Sequence, residues 1–415
     1  MFKRARPLAH PVVVYLDGAP VEAERGEPLA VALLASDRTT LARSAKLHRP
    51  RGPSCLRGGC DGCLARVDGA PNVMTCLCAA QGGEQVETQN FVGSRRADLL
   101  RVTDWFFPNG IDHHHLMAGV PGVQDLLVGF ARKLAGMGRL PTNTLSVQSA
   151  RRLETGALVV GGGPAGLAAA SRLAAGGRDV TLVDDGIELG GSLLALPERA
   201  GAVRGQHPLG ATRVLLGATV VGVYGGEALV ATPEGAVVVR ARDTVVTTGA
   251  HDGVLAVPND DLPGVLSARA VCRLASYGVV PDGPVALVGE GFWADAVEAA
   301  IGAPNVLRVA PEDLAGIKGT GQVKAVALKT ATGERTVKVA VVAIAAPGAP
   351  AFEIAAQAGA ETRFEPTQGY VVVRDADGRA AGSVWAAGEC AGVAFDPDAV
   401  TGDGARVAEA ILAAS

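Results

Sequence analysis

The chain has 415 residues, more than one domain's worth at roughly 100–200 residues per domain, and 48% of them are hydrophobic, which excludes a disordered chain. Its formal charge is 38 − 42 = −4 and aromatics make up only 4%, so neither the basic footprint nor the stacking surface of a nucleic-acid binder is present. Fifty-five glycines without a three-residue period exclude collagen and point to tight turns and close backbone approaches.

Residues 1–18 begin basic at Lys3, Arg4 and Arg6, but His10 and Pro11 break the apolar run and no small-residue cleavage site follows. No secretory signal is expected. Over residues 1–95, short strands are predicted at 12–16, 21–24, 64–67 and 72–76, with one helix at 29–34. Asp17-Gly18 and Asp68-Gly69 mark hairpins. This segment reads as a small β-rich domain with a long Gly/Cys loop. Its first 60 residues hold ten Lys/Arg against five Asp/Glu.

The loop carries the first sharp chemical signal. Five of the seven cysteines (Cys55, Cys60, Cys63, Cys76 and Cys78) fall within 24 positions, and an odd, clustered set in a chain without a secretory signal argues for metal rather than disulfides. The spacing Cys55-x4-Cys60-x2-Cys63-x12-Cys76 is that of plant-type [2Fe–2S] proteins, with three thiolates from one loop and a fourth from elsewhere. Gly58, Gly59 and Gly62 let the backbone wrap a compact core and aim amides at sulfur. A structural zinc site fits the unequal pairs less well. Cys78 could replace Cys76, or alternate to the opposite face of the same strand. The basic run Lys46, Arg49, Arg51 and Arg57 borders this loop with no intervening acid; it would attract an acidic electron acceptor or form a solvated face.

Residues 96–150 read as a helical connector packed between domains, with Trp105, Phe106 and Phe107 as interdomain core and helical periodicity at 123–137. His113, His114 and His115 point in different directions on any element and read as an exposed or partner-facing loop rather than a metal site.

From Ala157 the texture turns α/β. The apolar tract 157–175 is interrupted by glycines, Pro164, Ser171 and Arg172, so it reads as strand–turn–helix and not as a membrane span. It contains Gly161-x-Gly163-Pro164-Ala165-Gly166 after an apolar strand and before a helix, and the next strand, 179–183, ends in Asp184, 21 residues beyond Gly163. That is the full dinucleotide fingerprint: a tight turn, close approach to a pyrophosphate, and helix-on-strand packing. The helix N-terminus faces the phosphates and Asp184 accepts from the ribose, with Asp185 and Gly191 counted in the same site. Two later strands, ending in Thr248-Gly249 and in Gly388-Glu389, read as the further crossings of a two-dinucleotide-domain flavoprotein. A second unit at 285–310 offers Gly289-x-Gly291-x-x-Ala294, but its next strand runs into Ala310-Pro311 with no acid or arginine at the ribose position. A degenerate remnant is expected there rather than a working NAD(P)H site.

Four stretches carry a family likeness. Residues 44–52 (Ser-Ala-Lys-Leu-His-Arg-Pro-Arg-Gly), 130–141 followed by Gly161–Gly166, and 258–265 (Pro-Asn-Asp-Asp-Leu-Pro-Gly-Val) resemble the α subunit of heterotetrameric sarcosine oxidase. The cysteine stretch 52–76 is similar to the [2Fe–2S] domain of heteromeric amine dehydrogenases, including hydrogen cyanide synthase, opine oxidases and hydroxyproline dehydrogenases. In that family the amine is oxidised on a separate D-amino-acid-oxidase-like flavin subunit, and the α-type chain holds a second nucleotide and passes electrons on. The chain departs from sarcosine oxidase α by carrying the cluster cysteines and by stopping at Ser415, where the family continues into a folate-binding domain; folate-coupled formaldehyde capture is therefore not expected.

The fold expected is α/β: a β-grasp-like [2Fe–2S] domain over 1–95, the connector over 96–150, an FAD-binding Rossmann-like domain from 151–250 and 345–415, and an inserted NAD-domain-like unit over 251–344. The cofactors expected are a [2Fe–2S] cluster on Cys55, Cys60, Cys63 and Cys76, and FAD at the glycine site, with NAD or ATP as alternatives there. The function expected is electron transfer within a cytoplasmic heteromeric amine or imino-acid dehydrogenase, with no nucleic acid partner and no integral membrane segment. Two alternatives are a stand-alone NAD(P)H-dependent ferredoxin-type reductase and an assembly subunit whose nucleotide is structural. A disulfide reductase is excluded, because no Cys-x-x-Cys lies beyond the N-terminal domain.

Overall fold

The computed structural model describes residues 1–44, 49–91, 120–123, 125, 126, 129 and 149–414. Trp105, Phe106, Phe107, His113, His114 and His115 lie outside them, as do Lys46 and most of the 96–150 connector. The chain divides into two compact units, Met1–Leu145 with Val254–Ala345, and Ser146–Gly253 with Ala346–Ser415.

In the first unit, the N-terminal region forms a five-stranded sheet. Its order is Ala19–Glu24, Pro11–Leu16, Gln85–Glu87, Leu64–Val67, Ala70–Met74. Asp17 and Asp68 take φ of 50° and 48°, followed by Gly18 and Gly69 at 77° and 82°. Two successive positive φ values make the tight turn whose twist matches antiparallel strands, as the Asp-Gly pairs predict. The helix Leu29–Ala35 is apolar on every side and is buried from Leu29 to Leu34. The Gln85–Glu87 strand was not foreseen: it is short, and only Val86 of its three residues is buried.

The rest of this unit is a four-stranded parallel sheet ordered Val265–Ser267, Val341–Ala345, Val285–Gly289, Val306–Val309, with helices Ala268–Ser276 and Phe292–Ile301. The fully buried runs Val285–Val288 and Val341–Val342 explain the continuous apolar sequence, since a parallel strand is covered on both faces. Phe2–Arg4 pairs antiparallel with Val279–Pro281, so the N-terminal region is stitched to this lobe by backbone bonds.

The second unit is built on an eight-stranded sheet. Its parallel part runs Arg213–Leu216, Val180–Asp184, Arg151–Val160, Gly235–Val246, Val384–Ala386. Thr219–Tyr224 and Glu227–Thr232 extend Gly235–Val246 as an antiparallel meander. Helices Pro164–Ala175 and Pro397–Ala413 share a core with Ala157, Val159, Leu182, Val245 and Trp385. Strand Arg151–Val160 begins six residues before Ala157, because its first half pairs in parallel with residues 237–241 of the long strand Gly235–Val246, whereas Val180–Asp184 joins only from Ala157 onward. Among the described residues no helix is long and apolar enough to cross a membrane.

Candidate functional site

The first site is the cysteine loop. Leu64 pairs with Met74 across the hairpin, which brings Cys63 and Cys76 to the same end despite the 12 residues between them. Thr75, fully buried, fixes that end: its hydroxyl donates to the Cys63 carbonyl at 2.8 Å and its N–H to the same oxygen at 3.3 Å. The two bonds turn the chain into a 3-10 turn, Thr75–Leu77, so the strand stops at Met74 and not at residue 76 as predicted. Cys78 follows that turn as its C-terminal cap, so the expectation that it alternates with Cys76 on one strand is corrected.

Cys55, Cys63 and Cys76 are buried and Cys60 is half-buried. Hydrogen bonds link the four thiols in a chain Cys60–Cys55–Cys76–Cys63. Cys55 is held far below the usual thiol range by hydrogen bonds from Cys60 and Cys76, and Cys63 is lowered by Cys76. Cys60 and Cys76 are correspondingly raised by those same bonds and by burial. Cys78 takes no part; burial raises its thiol. Backbone amides converge on the sulfurs as well, with the Gly58 N–H donating to Cys76 Sγ at 3.2 Å. Gly62 is required by close approach: a Cβ there would lie 2.1 Å from the Gly52 carbonyl oxygen, where the loop crosses its own start. Among the described residues no three His, Cys, Asp or Glu are grouped to hold a single metal ion. Two thiolates per iron are what a [2Fe–2S] core takes, and four cysteine sulfurs linked in series with amide donors fit that group.

The second site is the glycine turn of the second unit. Gly161 follows the Arg151–Val160 strand with φ 105°. A Cβ on Gly166 would lie 1.8 Å from the Gly161 carbonyl oxygen, so the helix Pro164–Ala175 sits directly on the turn. Gly163 precedes Pro164 as the helix cap, and no acid stands in the first turn to oppose a phosphate. Asp184 closes the loop: Oδ2 accepts from the Gly162 N–H at 2.5 Å and Oδ1 from the Gly186 N–H at 2.8 Å. Each carboxylate oxygen can accept a second hydrogen bond, so this use is compatible with a ribose hydroxyl. Asp185 is exposed beside it.

Two of the remaining predicted residues, Gly191 and Gly388, come up against the same turn. A Cβ on Gly191 would lie 2.7 Å from Gly163 Cα, and one on Gly388 would lie 3.1 Å from Ala165 Cβ. Gly249 faces Glu389, and the Thr248 hydroxyl donates to the Ala351 carbonyl at 2.5 Å. The cradle is lined by backbone and would be filled by side chains, which fits an extended dinucleotide.

Four residues around this site were missed. Thr247 donates to the Val160 and Gly161 carbonyls at 2.9 and 2.8 Å. Asp403 accepts from the Gly388 N–H at 2.8 Å and pairs with Arg374 at 2.9 Å and Arg406 at 2.6 Å. Burial alone would raise the Asp403 carboxyl, but Arg374, the Gly388 N–H and Arg406 together hold it below the usual range. No short spacing marks Asp403 or Arg374; the glycines around Asp403 in Thr401-Gly-Asp-Gly404 were the available signal.

In the lobe over 254–345, Gly289 and Gly291 have φ of 103° and 93°, so the turn is formed, and Ala294 is fully buried where a third glycine would stand. Strand Val306–Val309 ends at Ala310-Pro311, as expected. The basic run is corrected in part: Arg49 and Arg51 turn to Asp261 within the unit rather than forming a solvated face.

Residues 9–91 match the family model of a 2Fe-2S iron-sulfur cluster binding domain, and residues 156–306 that of pyridine nucleotide-disulphide oxidoreductase. The chain is 28% identical over 305 residues to the alpha subunit of sarcosine oxidase from Rhizobium meliloti (strain 1021), covering 65% of this chain and 31% of that one. The corresponding chain of Corynebacterium sp. (strain P-1) is 30% identical over 297 residues, covering 65% and 27%. An opine oxidase subunit from Agrobacterium tumefaciens (strain Ach5) is 30% identical over 172 residues, covering 32% of each chain. The matched region thus spans under a third of the length of these relatives. Among solved structures, L-proline dehydrogenase from P. horikoshii superposes with a TM-score of 0.74 at 20% identity, covering 99% of this chain and 75% of that one. Lactococcus lactis thioredoxin reductase gives 0.50 at 18% identity, covering 63% and 100%. These two likenesses show the fold. The resemblance to α-type subunits with a fused [2Fe–2S] domain is borne out, and so is the α/β fold class. The matches support a [2Fe–2S] cluster for the cysteine loop and FAD for the glycine site.

Proposed function

We propose that this chain is the electron-transfer subunit of a cytoplasmic, heteromeric, flavin-dependent amine or imino-acid dehydrogenase or oxidase. Its substrates would be of the sarcosine, proline or opine class, oxidised on a separate D-amino-acid-oxidase-like flavin subunit. The observation that carries this reading is one chain offering both a linked set of four cysteines and a complete dinucleotide cradle. A flavin held there would take electrons in pairs and release them singly, and a [2Fe–2S] cluster would carry them singly, which would match a two-electron oxidation to a one-electron acceptor.

The chain's own residues hold and orient. Cys55, Cys60, Cys63 and Cys76 would ligate the cluster, with the Gly58 amide directed at Cys76. Gly161, Gly163, Pro164, Ala165, Gly166 and Gly191 would cradle the pyrophosphate at a helix N-terminus, while Asp184 would take the ribose. Thr248, Gly249, Gly388 and Glu389 would complete that pocket. No proton transfer from substrate is assigned to this chain. An acidic electron acceptor would meet a reduced basic surface, because Arg49 and Arg51 are engaged by Asp261.

The test is anaerobic addition of sarcosine, proline and an opine to the purified complex. The expected result is bleaching of flavin absorbance, the electron paramagnetic resonance (EPR) signal of a reduced [2Fe–2S] cluster, and FAD in the acid extract of this chain. No bleaching with any of these amines, alongside rapid bleaching by NADH, would overturn the reading in favour of an NAD(P)H-dependent reductase. Loss of the nucleotide without loss of turnover would favour an assembly role.

A further inference from the structure

Two of the stretches that carry the family likeness, 44–52 and 258–265, have no part in either cofactor site, yet the fold brings them together. Arg49 meets Asp261 with both prongs of its guanidinium, Nε to Oδ2 and Nη2 to Oδ1, each at 2.6 Å. The same Nη2 donates to Asn259 Oδ1 at 3.0 Å, and Arg51 approaches Asp261 at 3.4 Å. Arg49 and Asp261 are only 14% and 19% exposed, so water screens the pair weakly. Asn259 takes φ 67° and donates to the Ile317 carbonyl at 2.8 Å, which ties this turn to a strand of its own lobe.

Further contacts follow directly along the chain. Gly52 is wedged between the Thr39 carbonyl and Pro263; a Cβ there would lie 2.1 Å from the first and 3.1 Å from the second. The Ser267 N–H, at the carboxyl end of strand Val265–Ser267, donates to the Ser54 carbonyl at 3.0 Å. Ser54 immediately precedes Cys55. The segment leading into the cysteine loop is therefore pinned at residues 49, 51, 52 and 54 to the lobe over 254–345. All four contacts belong to one compact unit.

We propose that Arg49, Arg51, Asn259 and Asp261 form a clasp that seats the cluster loop on the second dinucleotide-type lobe and so fixes the geometry of its thiolate ligands. On this reading the lobe serves as a rigid seat: the segment leading into the cluster loop runs along its edge strand, from Asp261 before Val265–Ser267 to Ser267 at the end of it. Arg49, Arg51, Asn259 and Asp261 are positioning residues. They act through the backbone of residues 52–55 and touch no thiol.

The inference rests on the [2Fe–2S] reading of Cys55, Cys60, Cys63 and Cys76, and its test separates the two. Arg49→Lys keeps the charge but loses the two-pronged geometry, Asp261→Asn loses the charge, and Asp261→Glu keeps the carboxylate. Iron and sulfide content of the wild-type full chain tests the cluster itself. In Arg49→Lys and Asp261→Asn, the reduced cluster is expected to show shifted g-values, and its loss to a chelator is expected to quicken by about tenfold, with Asp261→Glu partly restoring both. In the metal-free chain, hydrogen exchange at the amides of residues 52–56 and at Ser267 should quicken by about tenfold in the same variants. Flavin content, set in the other unit, should not change. Variants that fold with wild-type EPR, chelation rate and amide exchange would overturn the clasp even where the cluster is confirmed. Absence of iron from the wild type would overturn the cluster reading, and the exchange data would still decide the clasp.

Discussion

Replacing Gly166 by alanine probes the dinucleotide cradle at its tightest point. A Cβ there would stand 1.8 Å from the Gly161 carbonyl oxygen and 2.7 Å from Thr247 Oγ1. Since 3.0 Å is the practical limit for a Cβ contact, the helix Pro164–Ala175 must retreat by at least 3.0 − 1.8 = 1.2 Å, or the turn must distort by as much. The partner is backbone of the turn that follows strand Arg151–Val160, so no flexible side chain can yield. Overpacking of this kind costs about 3 kcal/mol in stability. The same retreat would stretch amide–phosphate bonds at the helix N-terminus beyond hydrogen-bonding range. Each such bond to a charged group is worth about 1.5–3 kcal/mol, which converts to roughly a 10- to 100-fold loss of FAD affinity. The assay is flavin fluorescence titration of the apoprotein, with thermal unfolding run beside it. Gly201→Ala is the control: it lies in the helix Pro197–Gln206 with nothing within 4 Å, so the added methyl should stabilise by about 0.5 kcal/mol and leave FAD binding alone. Wild-type FAD affinity in Gly166→Ala would refute the assignment of this turn as the pyrophosphate cradle.

Two further outcomes follow from the site geometry. Cys76→Ser should abolish or grossly destabilise the cluster, whereas Cys78→Ser should leave iron and sulfide content unchanged, because Cys78 lies outside the linked set; equal loss in both would sink the four-ligand assignment. Asp403→Asn should destabilise the second unit by about 2 kcal/mol at neutral pH, the scale of lost charge-assisted hydrogen bonds, and weaken FAD retention through Gly388. The Asp403 carboxyl is depressed in the fold, so its contribution is full above the ordinary carboxylate range and is lost as pH falls through the depressed value. Urea denaturation at several pH values should therefore show wild type and Asp403→Asn converging on acidification, and a gap that widens instead would contradict the linkage.

Both sites were largely legible in the sequence because their chemistry is local. A thiolate cluster must be wrapped by a short glycine-rich loop, so the spacing of Cys55, Cys60 and Cys63 is set by the wrap itself. A pyrophosphate at a helix N-terminus needs a strand, a turn without side chains and a helix in immediate succession, and Gly161 to Asp184 spell out all three. Where a single bond decides the local path, the reading slipped: the buried Thr75 hydroxyl ends a strand two residues early and sends Cys78 away from the cluster.

The sequence by itself determined a [2Fe–2S] domain and a dinucleotide-binding fold, since the spacing of a cysteine loop and of a strand, glycine turn and helix acts over a few bonds of backbone. Only the tertiary structure decided what braces them. Arg49 finds Asp261 across 212 positions, and Gly388 finds Asp403 in the last helix. A carboxylate carries no mark of its future partner. Which arginine or amide it meets is fixed by how the strands are ordered, and that order emerges only when the whole chain has packed.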